Sequence, residues 1–564
     1  MILHVVFLAL LPLLAFYAYE RLFYCRFKQF ADWPQLKPSL VWGHLKVFQE
    51  CILAAEPKRH IDIVLQEVRS RLGNPPVYIL DLRPVQRPLV IVGSHEIAEQ
   101  VSRSSKELPY SVPKSPTISA LEPLLGPNSI LSAYGEEWKG LRRRFNPGFA
   151  PQHLMSLLPC ILDKAWHFLE NLDRHALDGR EFALDEPCVN LTFDIIGAVT
   201  MDEDFRAQLG NDKQTELVRR YRELTLNYRT ATSNQWFSIN PLTITYRWWL
   251  SRRIDTILQE HIKAKFAELK AHRSSKQDPQ RASRSVLSLS LQDTDRLDTR
   301  IIEQTRDQLK SFLFAGHDTT SILLQWAFYE LSRTPRALAA IRAEMDEIFG
   351  ADSSPAAVRD RLLSEQRDSL VRRMVYTSAV IKETLRLYPP SGSARHLPYG
   401  SGFSVKLPDG SSMCLDGTVI YNCATIVQRD EAVYGSTAAV FRPERWLGDS
   451  DTSMQTNVDA KDGAAAGRIP AGAWRPFERG PRNCIGQELA NLEARVILAC
   501  TVRRYDFEKV GLGQAMRDSN GEPMLDVNGQ YKVKTEVYNT MQVTAKPVDG
   551  MQMKVRLVPG TAPL

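Results

Sequence analysis

Residues 300–333 constrain the fold more than any other stretch, because they form the longest helical pattern in the chain and end just before Pro335. Apolar or small residues recur at 309, 312, 313, 316, 320, 323, 324, 327 and 331, the spacing of a helix that turns one face inward. Inside this greasy element stands "AGHDTT", Ala315 to Thr320. A glycine and two adjacent threonines are poor helix formers, and Asp318 adds a charge to an apolar surface. Several local rules broken together in a buried helix mark a functional site. A plain kink in a surface helix is the alternative, and the apolar flanks on both sides weigh against it.

A second stretch, "FERGPRNCIG" at 477–486, frames one cysteine with two glycines. Gly480 and Gly486 permit backbone shapes and close approaches that side chains would block. Cys484 lies just before the helical run "GQELANLEARVILACTV", and a helix amino terminus offers free N–H groups that favour a thiolate. Arg482 supplies a nearby cation and Phe477 a flat apolar shield. Such a sulfur suits either a nucleophile or a thiolate ligand to iron. A nucleophile would want a histidine base, and the nearest in sequence, His396, has no acid pattern around it. The ligand reading is the stronger.

Three further patterns say little alone. "KETLRLYPP" (382–390) puts Glu383 and Arg386 three apart on a helix stopped by Pro389, as many exposed pairs are. "FRPERW" (441–446) is a turn carrying Arg445, and "GEEWKGLRRRF" (135–145) sets Trp138 and Arg142 on one helical face.

The amino terminus bears on compartment. From Ile2 to Tyr19 eighteen residues carry no formal charge, a reach of roughly 27 Å against a hydrocarbon core of about 30 Å. A cleaved signal peptide would want a basic residue before the run and small residues at a cleavage site. Here Arg21, Arg26 and Lys28 follow the run, and Phe16, Tyr17 and Tyr19 close it, so an uncleaved anchor with a cytosolic body is expected. In a reducing compartment the eight cysteines read as thiols without a disulfide framework, and no Cys or His spacing suggests zinc. The sequon at Asn190–Thr192 is then a decoy. A net charge of +6, from 71 basic and 65 acidic residues, is dispersed and leaves no nucleic-acid footprint.

The expected organisation is a transmembrane anchor over 1–20, a Pro-bearing neck over 21–45 and one catalytic domain over 46–564. Pro34 and Pro38 stop the anchor helix in the neck. The domain reads as mainly α with a minor β portion: strands within 75–93, helices beyond about 135, and strand-like segments at 402–421 and after 520. Polar stretches 273–297 and 449–472 read as exposed, loosely ordered loops. The aromatic segment 236–250 reads equally as core or as a lipid-dipping lip of an access channel.

Five motifs in this order, WxxxR, AGxDTT, ExxR, FxPERW and FxxGxRxCxG, closely resemble the cytochrome P450 superfamily of haem-thiolate enzymes. The resemblance runs from about residue 35 onward, and the anchor and neck are similar to those of eukaryotic endoplasmic-reticulum members, with a fungal-like carboxy terminus. It implies the P450 fold, a large helical domain with a small β-sheet region. It implies haem b with Cys484 as axial iron ligand, the propionates held by Trp138, Arg142, Arg395 and Arg482, and Phe477, Gly480 and Gly486 shaping the cysteine loop. Glu383, Arg386 and Arg445 would form a buried ion-pair triad. Thr319, beside Gly316's gap and the carboxylate of Asp318, would relay protons. One departure is Gln428, where many relatives carry histidine, at a position that reads as peripheral.

What the resemblance implies for function is a membrane-bound monooxygenase. Its electrons would come from NADPH through a flavoprotein, NADPH–cytochrome reductase, with cytochrome b5 as a second donor. The donor would dock on the cysteine side near Arg479 and Arg482. The substrate would be a lipophilic small molecule, in keeping with fungal secondary metabolism, and the place the endoplasmic reticulum membrane. The competing class is a non-oxygenating haem protein, either an isomerase or dehydratase or a sensor. The intact "AGHDTT" favours the monooxygenase, since neither rival needs a proton relay.

Overall fold

The computed structural model describes residues 2–210, 212–233, 240–274, 284–448, 469–540 and 542–564, without the side chains of 2–9, 229–233 and 274. The helices that matter for the site are α1 (Ile2–Phe23), α2 (Gly135–Phe145), α3 (Leu158–Asp178), α4 (Asp185–Met201), α5 (Glu216–Ser233), α6 (Pro241–Ser274), α7 (Val286–Leu291), α8 (Thr299–Arg333), α9 (Val375–Leu387) and α10 (Gln487–Thr501). Strands are short: β1 (Val77–Leu80), β2 (Leu89–Val92), β3 (Phe182–Ala183), β4 (Ser393–His396), β5 (Ser404–Lys406), β6 (Ser412–Cys414), β7 (Val419–Asn422), β8 (Tyr505–Lys509) and β9 (Gln552–Leu557). The chain is mainly helical with small sheets, as its periodicity indicated.

The long helix α8 organises the rest. The Asp298 side chain accepts from the Ile301 amide at 2.7 Å and caps its start, and Pro335 opens the next helix. Its surface from Thr305 to Leu331 is buried almost throughout, which suits a helix apolar on most sides. It packs most extensively on α4, and Gly316 is what lets the two approach: a Cβ there would lie 2.6 Å from Ile196. The glycine expected to open a gap instead receives a neighbouring side chain.

One sheet runs β1-β2-β7-β4, with β2 and β7 parallel and both outer pairs antiparallel. The register sets Arg395 of β4 opposite Ile420. A second sheet, β3-β9-β8, ties the carboxy-terminal strand to the helical body, and β5-β6 is a separate hairpin.

The neck is not a free spacer. α1 gives way to a π-turn, Tyr24–Lys28, before either proline, so Pro34 and Pro38 are not what stops it. Arg26 is buried: its guanidinium meets Asp81 at 2.6 Å and donates to the carbonyls of Leu40, Val41 and Arg83. Among the described residues no helix is long and apolar enough to cross a membrane. The side chains of residues 2–9, part of the expected anchor over 1–20, lie outside the described ones.

One other expectation changes, and all three of the stretches that follow fall partly outside the described residues, 275–283 among them. Residues 273–297 are not one exposed loop: Ser285 caps α7, and Val286, Leu287 and Leu291 enter the main core. Their helical apolar spacing outweighs the serines, whose hydroxyls bond within the helix, as Ser290 does to the Leu287 carbonyl at 2.8 Å. Of the loop expected over 449–472, residues 449–468 lie outside the described ones. In the aromatic segment 236–250, residues 236–239 lie outside them too. The remainder starts α6 with Leu242, Ile244, Trp248 and Trp249 exposed and Leu250 buried.

Candidate active site

The cysteine loop is built by two backbone conditions. Gly480 has φ +73°, and a Cβ there would sit 2.0 Å from the Ser102 carbonyl oxygen, so no side chain fits. The Cys484 amide then donates to the Phe477 carbonyl at 2.8 Å, closing the loop before α10 begins. Gly486, by contrast, has a negative φ of −88°, and a Cβ there would meet the Cys484 sulfur at 3.9 Å, normal contact. Its contribution is an amide aimed at sulfur.

Cys484 is exposed, although protein surrounds it. Both hold if the sulfur faces an internal cavity. Burial raises its pKa, while the amides of Gly486 and Gln487 and the charges of Arg142 and Lys114 pull it down.

Around the sulfur gathers an unusual set of cations. Arg142 donates to the Asn483 carbonyl at 2.7 Å and to its side-chain oxygen at 2.9 Å, pinning the loop to α2. Arg482 donates to the Ala133 carbonyl at 2.7 Å, and its guanidinium lies 5.0 Å from the ring centre of buried Trp138. Arg395 spends one nitrogen on the Val112 carbonyl at 3.1 Å, leaving Nε and Nη2 buried without a partner among the described residues. Lys114, bridged to Arg395 across the backbone, donates to Ser393 at 2.7 Å.

Burial, and then the neighbouring Arg395, lower Lys114 to about 7 and Arg482 to about 9. Glu478 is the carboxylate within this group. Burial would raise its pKa, but Arg475, Arg395 and Lys114 hold it far below the usual range. Arg142, Arg395, Arg482 and Lys114, with unused donors on Arg395 and only Glu478 as a carboxylate within the group, fit a ligand bearing two carboxylates of its own. The donor set and the open sulfur therefore fit haem.

A buried network supports the loop from behind. Glu383 receives Arg386 at 2.8 and 2.9 Å, Arg445 at 2.9 Å and the Trp446 indole at 2.9 Å. Gln428 is part of this network rather than peripheral. Its amide donates to the carbonyls of Leu385 and Arg386 at 3.0 Å and accepts from the Arg475 amide at 2.8 Å, joining α9 to the segment that leads into the cysteine loop.

On α8, Thr319 donates to the Ala315 carbonyl at 2.7 Å and is half-buried. Asp318 turns elsewhere: it pairs with Lys546 at 2.7 Å and accepts from the Thr544 hydroxyl. His317 stacks on Phe193 with ring centres 3.9 Å apart, and burial lowers it to about 4, so it is neutral. Gly316 serves helix packing, as described above.

Two expected surface cations are also reassigned. Arg482 is buried in the cation group, and Arg479 pairs with Glu99 at 2.9 Å. The exposed basic residues here are Lys139 and Arg143, which flank a groove of about 470 Å³ on α2. Sequence reasoning passed over Lys114, Lys546 and the role of Gln428. Lys114 stands in "VPKSP" and Lys546 in "TAKPV", and neither setting carries a local signal.

A family model described as Cytochrome P450 matches residues 36–533. Cytochrome P450 monooxygenase acrF of Aspergillus aculeatus is 32% identical over 501 residues, 86% of this chain and 94% of that protein. Cytochrome P450 monooxygenase polC of Polytolypa hystricis is 28% identical over 528 residues, 92% and 88% of the two chains. Cytochrome P450 4V2 of Homo sapiens is 27% identical over 494 residues, covering 84% of each.

Proposed function

This chain belongs to the cytochrome P450 family and is a haem-thiolate monooxygenase, and we propose that it oxidises a lipophilic small molecule with electrons passed from NADPH by a flavoprotein reductase. The observation that carries the site assignment is the Cys484 sulfur, exposed though surrounded by protein and set among amide donors and the cations Arg142 and Lys114. In this reading Cys484 would supply the thiolate that holds the haem iron. Lys114, Trp138, Arg142, Arg395 and Arg482 would hold the haem carboxylates, with Phe477 beside the sulfur. Haem, when bound there, supplies an iron centre at which dioxygen is activated under thiolate push.

The chain's own residues do the rest. The amides of Gly486 and Gln487, with Arg142 and Lys114, work against the burial that raises the Cys484 pKa, and so favour the thiolate form that would hold the iron. Thr319 holds a proton at Oγ1, now given to the Ala315 carbonyl, and in this reading passes it on in the relay. Lys139 and Arg143 are the surface charges that would steer an acidic reductase, with cytochrome b5 as a second donor. The exposed aromatics of α6 and the apolar run of α1 support a body seated on the endoplasmic reticulum membrane, anchored by residues 1–20 and taking substrate from the lipid. The two fungal relatives named above support a place in secondary metabolism. A haem isomerase, dehydratase or sensor would have no use for the Thr319 hydroxyl.

Thr319→Ala tests the relay. It should keep haem and substrate binding, while product per NADPH falls and released peroxide rises, since general acid–base contributions run to roughly 10²–10⁴ in rate. If Thr319 serves packing alone, stability drops and coupling stays unchanged. That result would remove the relay.

A further inference from the structure

Arginines gather where α1 joins the body, and the five motifs give them no role. A cleft of about 510 Å³ opens there between the end of α1, the β1–β2 connection and the segment that leads from β4 to β7. Arg21, Arg83 and Arg87 line it, with Tyr24, Gln86 and Tyr399, and no carboxylate is among its described lining residues. Behind it Asp81 is already engaged, receiving Arg26 at 2.6 Å and Arg83 at 2.8 and 2.9 Å. The cleft therefore carries an excess of positive charge.

Hydrogen bonds hold its walls in place. Arg83 donates to the Gln29 side-chain oxygen at 3.0 Å, and Gln29 donates to the Tyr399 hydroxyl at 3.2 Å, so neck, turn and far wall form one chain. Gly417, at φ +72°, lets the Tyr399 ring lie against its backbone, since a Cβ there would sit 2.2 Å from that ring. Arg87 donates to His396 Nε2, and His396 Nδ1 donates to the Thr418 carbonyl at 2.8 Å. Most donors of Arg87 stay uncommitted among the described residues, and Arg21 makes no hydrogen bond or ion pair among them.

Two such arginines alone would be an ordinary solvated rim. The surface of α1 adds the second observation. Leu10, Leu14 and Tyr17 are 48, 62 and 67% exposed and stand at helical spacing with Arg21. An exposed apolar stripe thus runs down α1 into a cationic cleft. A ligand that matches both carries an anionic phosphate on apolar tails, and guanidinium forks suit phosphate oxygens. Free phosphate would use the arginines and leave the stripe idle.

We propose that this cleft binds the headgroup phosphate of an anionic phospholipid, with Arg21 and Arg87 as its direct partners and Arg83 holding the wall. The proposal rests on the reading of residues 1–20 as a membrane anchor, which sets the cleft at headgroup depth. A lipid held there would bridge α1 and the β1–β2 connection and fix how the body sits on the bilayer.

The test uses the full-length holoenzyme in detergent. Calorimetric titration with dihexanoyl phosphatidate should saturate at one lipid per protein. Dihexanoyl phosphatidylcholine, whose choline cancels the charge, should bind about tenfold more weakly or worse. Arg21→Gln and Arg87→Gln should each weaken phosphatidate binding about tenfold, the loss of one charge-assisted contact. Both residues are exposed, so neither change should disturb the fold. Arg372→Gln, exposed on the helix Arg367–Arg373, should leave the affinity unchanged. An equal loss in Arg372→Gln, or a titration that does not saturate, would reduce the cleft to general surface charge and overturn the proposal. Inorganic phosphate binding as tightly as phosphatidate would overturn it too, because the apolar stripe would then contribute nothing. Flotation of the wild type on neutral phosphatidylcholine vesicles tests the anchor separately. Failure to float would defeat the anchor reading, and the titration would still decide on the cleft.

Discussion

Single residues carry the site's chemistry, and they differ in how visible they are beforehand. Gly480 was legible because a glycine three residues before the loop's turn toward cysteine has few other uses, and the structure supplies the reason in the Ser102 oxygen 2.0 Å from its missing Cβ. Gly480→Ala should therefore lower the thermal midpoint strongly, adding about 1–2 kcal/mol of backbone strain to a main-chain collision. Gly486→Ala, at an ordinary φ, should cost far less in the same haem-free measurement. Lys114 was not legible, since its meaning comes from Arg395 and Arg482, which are distant in sequence. Its folded pKa, about 7, lies below the ordinary lysine value of 10.5. The unfolded chain thus binds more protons between those values, and stability of the haem-free protein should rise with pH across that window. Lys114→Met should flatten that rise and weaken haem retention. A rise that persists in the variant would assign it to another group.

Helices and strands with strong periodicity were readable, while those set by long-range packing were not. The pattern at 300–333 became α8 within a residue of its expected start, because buried apolar spacing over that length leaves no competing element. Residues 286–291 sit inside a stretch, 273–297, that reads as polar loop for its serines and aspartates, yet the apolar side chains of Val286, Leu287 and Leu291 sufficed once a core was there to receive them. Gln428 shows the same limit in a network. Nothing in "IVQRD" announces that its amide joins α9 to the cysteine segment. Gln428→Ala leaves two carbonyls and one amide without their partner and should cost roughly 1–3 kcal/mol. Glu383→Gln strips charge from between two buried guanidinium groups, and such a loss typically runs to about 3–5 kcal/mol. Thermal unfolding and the rate of haem loss check both, and a Gln428→Ala protein as stable as wild type would show that position to be peripheral after all.

At the scale of the molecule, three distant segments meet around one sulfur: α2 with Arg142, β4 with Arg395, and the loop of Arg482. The motif order pointed to this convergence, but the amino-terminal lock did not show in sequence. Arg26, expected to be a charge flanking the anchor, is instead buried against Asp81 and fixes α1 to the first sheet. Protease added to intact microsomes should digest the body while amino-terminal sequencing still finds Met1 or Ile2. Protection of the body would reverse the orientation. All of these elements serve one claim, that Cys484 is the thiolate ligand of a haem. The reduced protein under carbon monoxide should give the red-shifted Soret band of thiolate ligation, and Cys484→Ser and Cys484→His should each lose it with the fold retained. A thiolate band surviving in either variant would contradict the account.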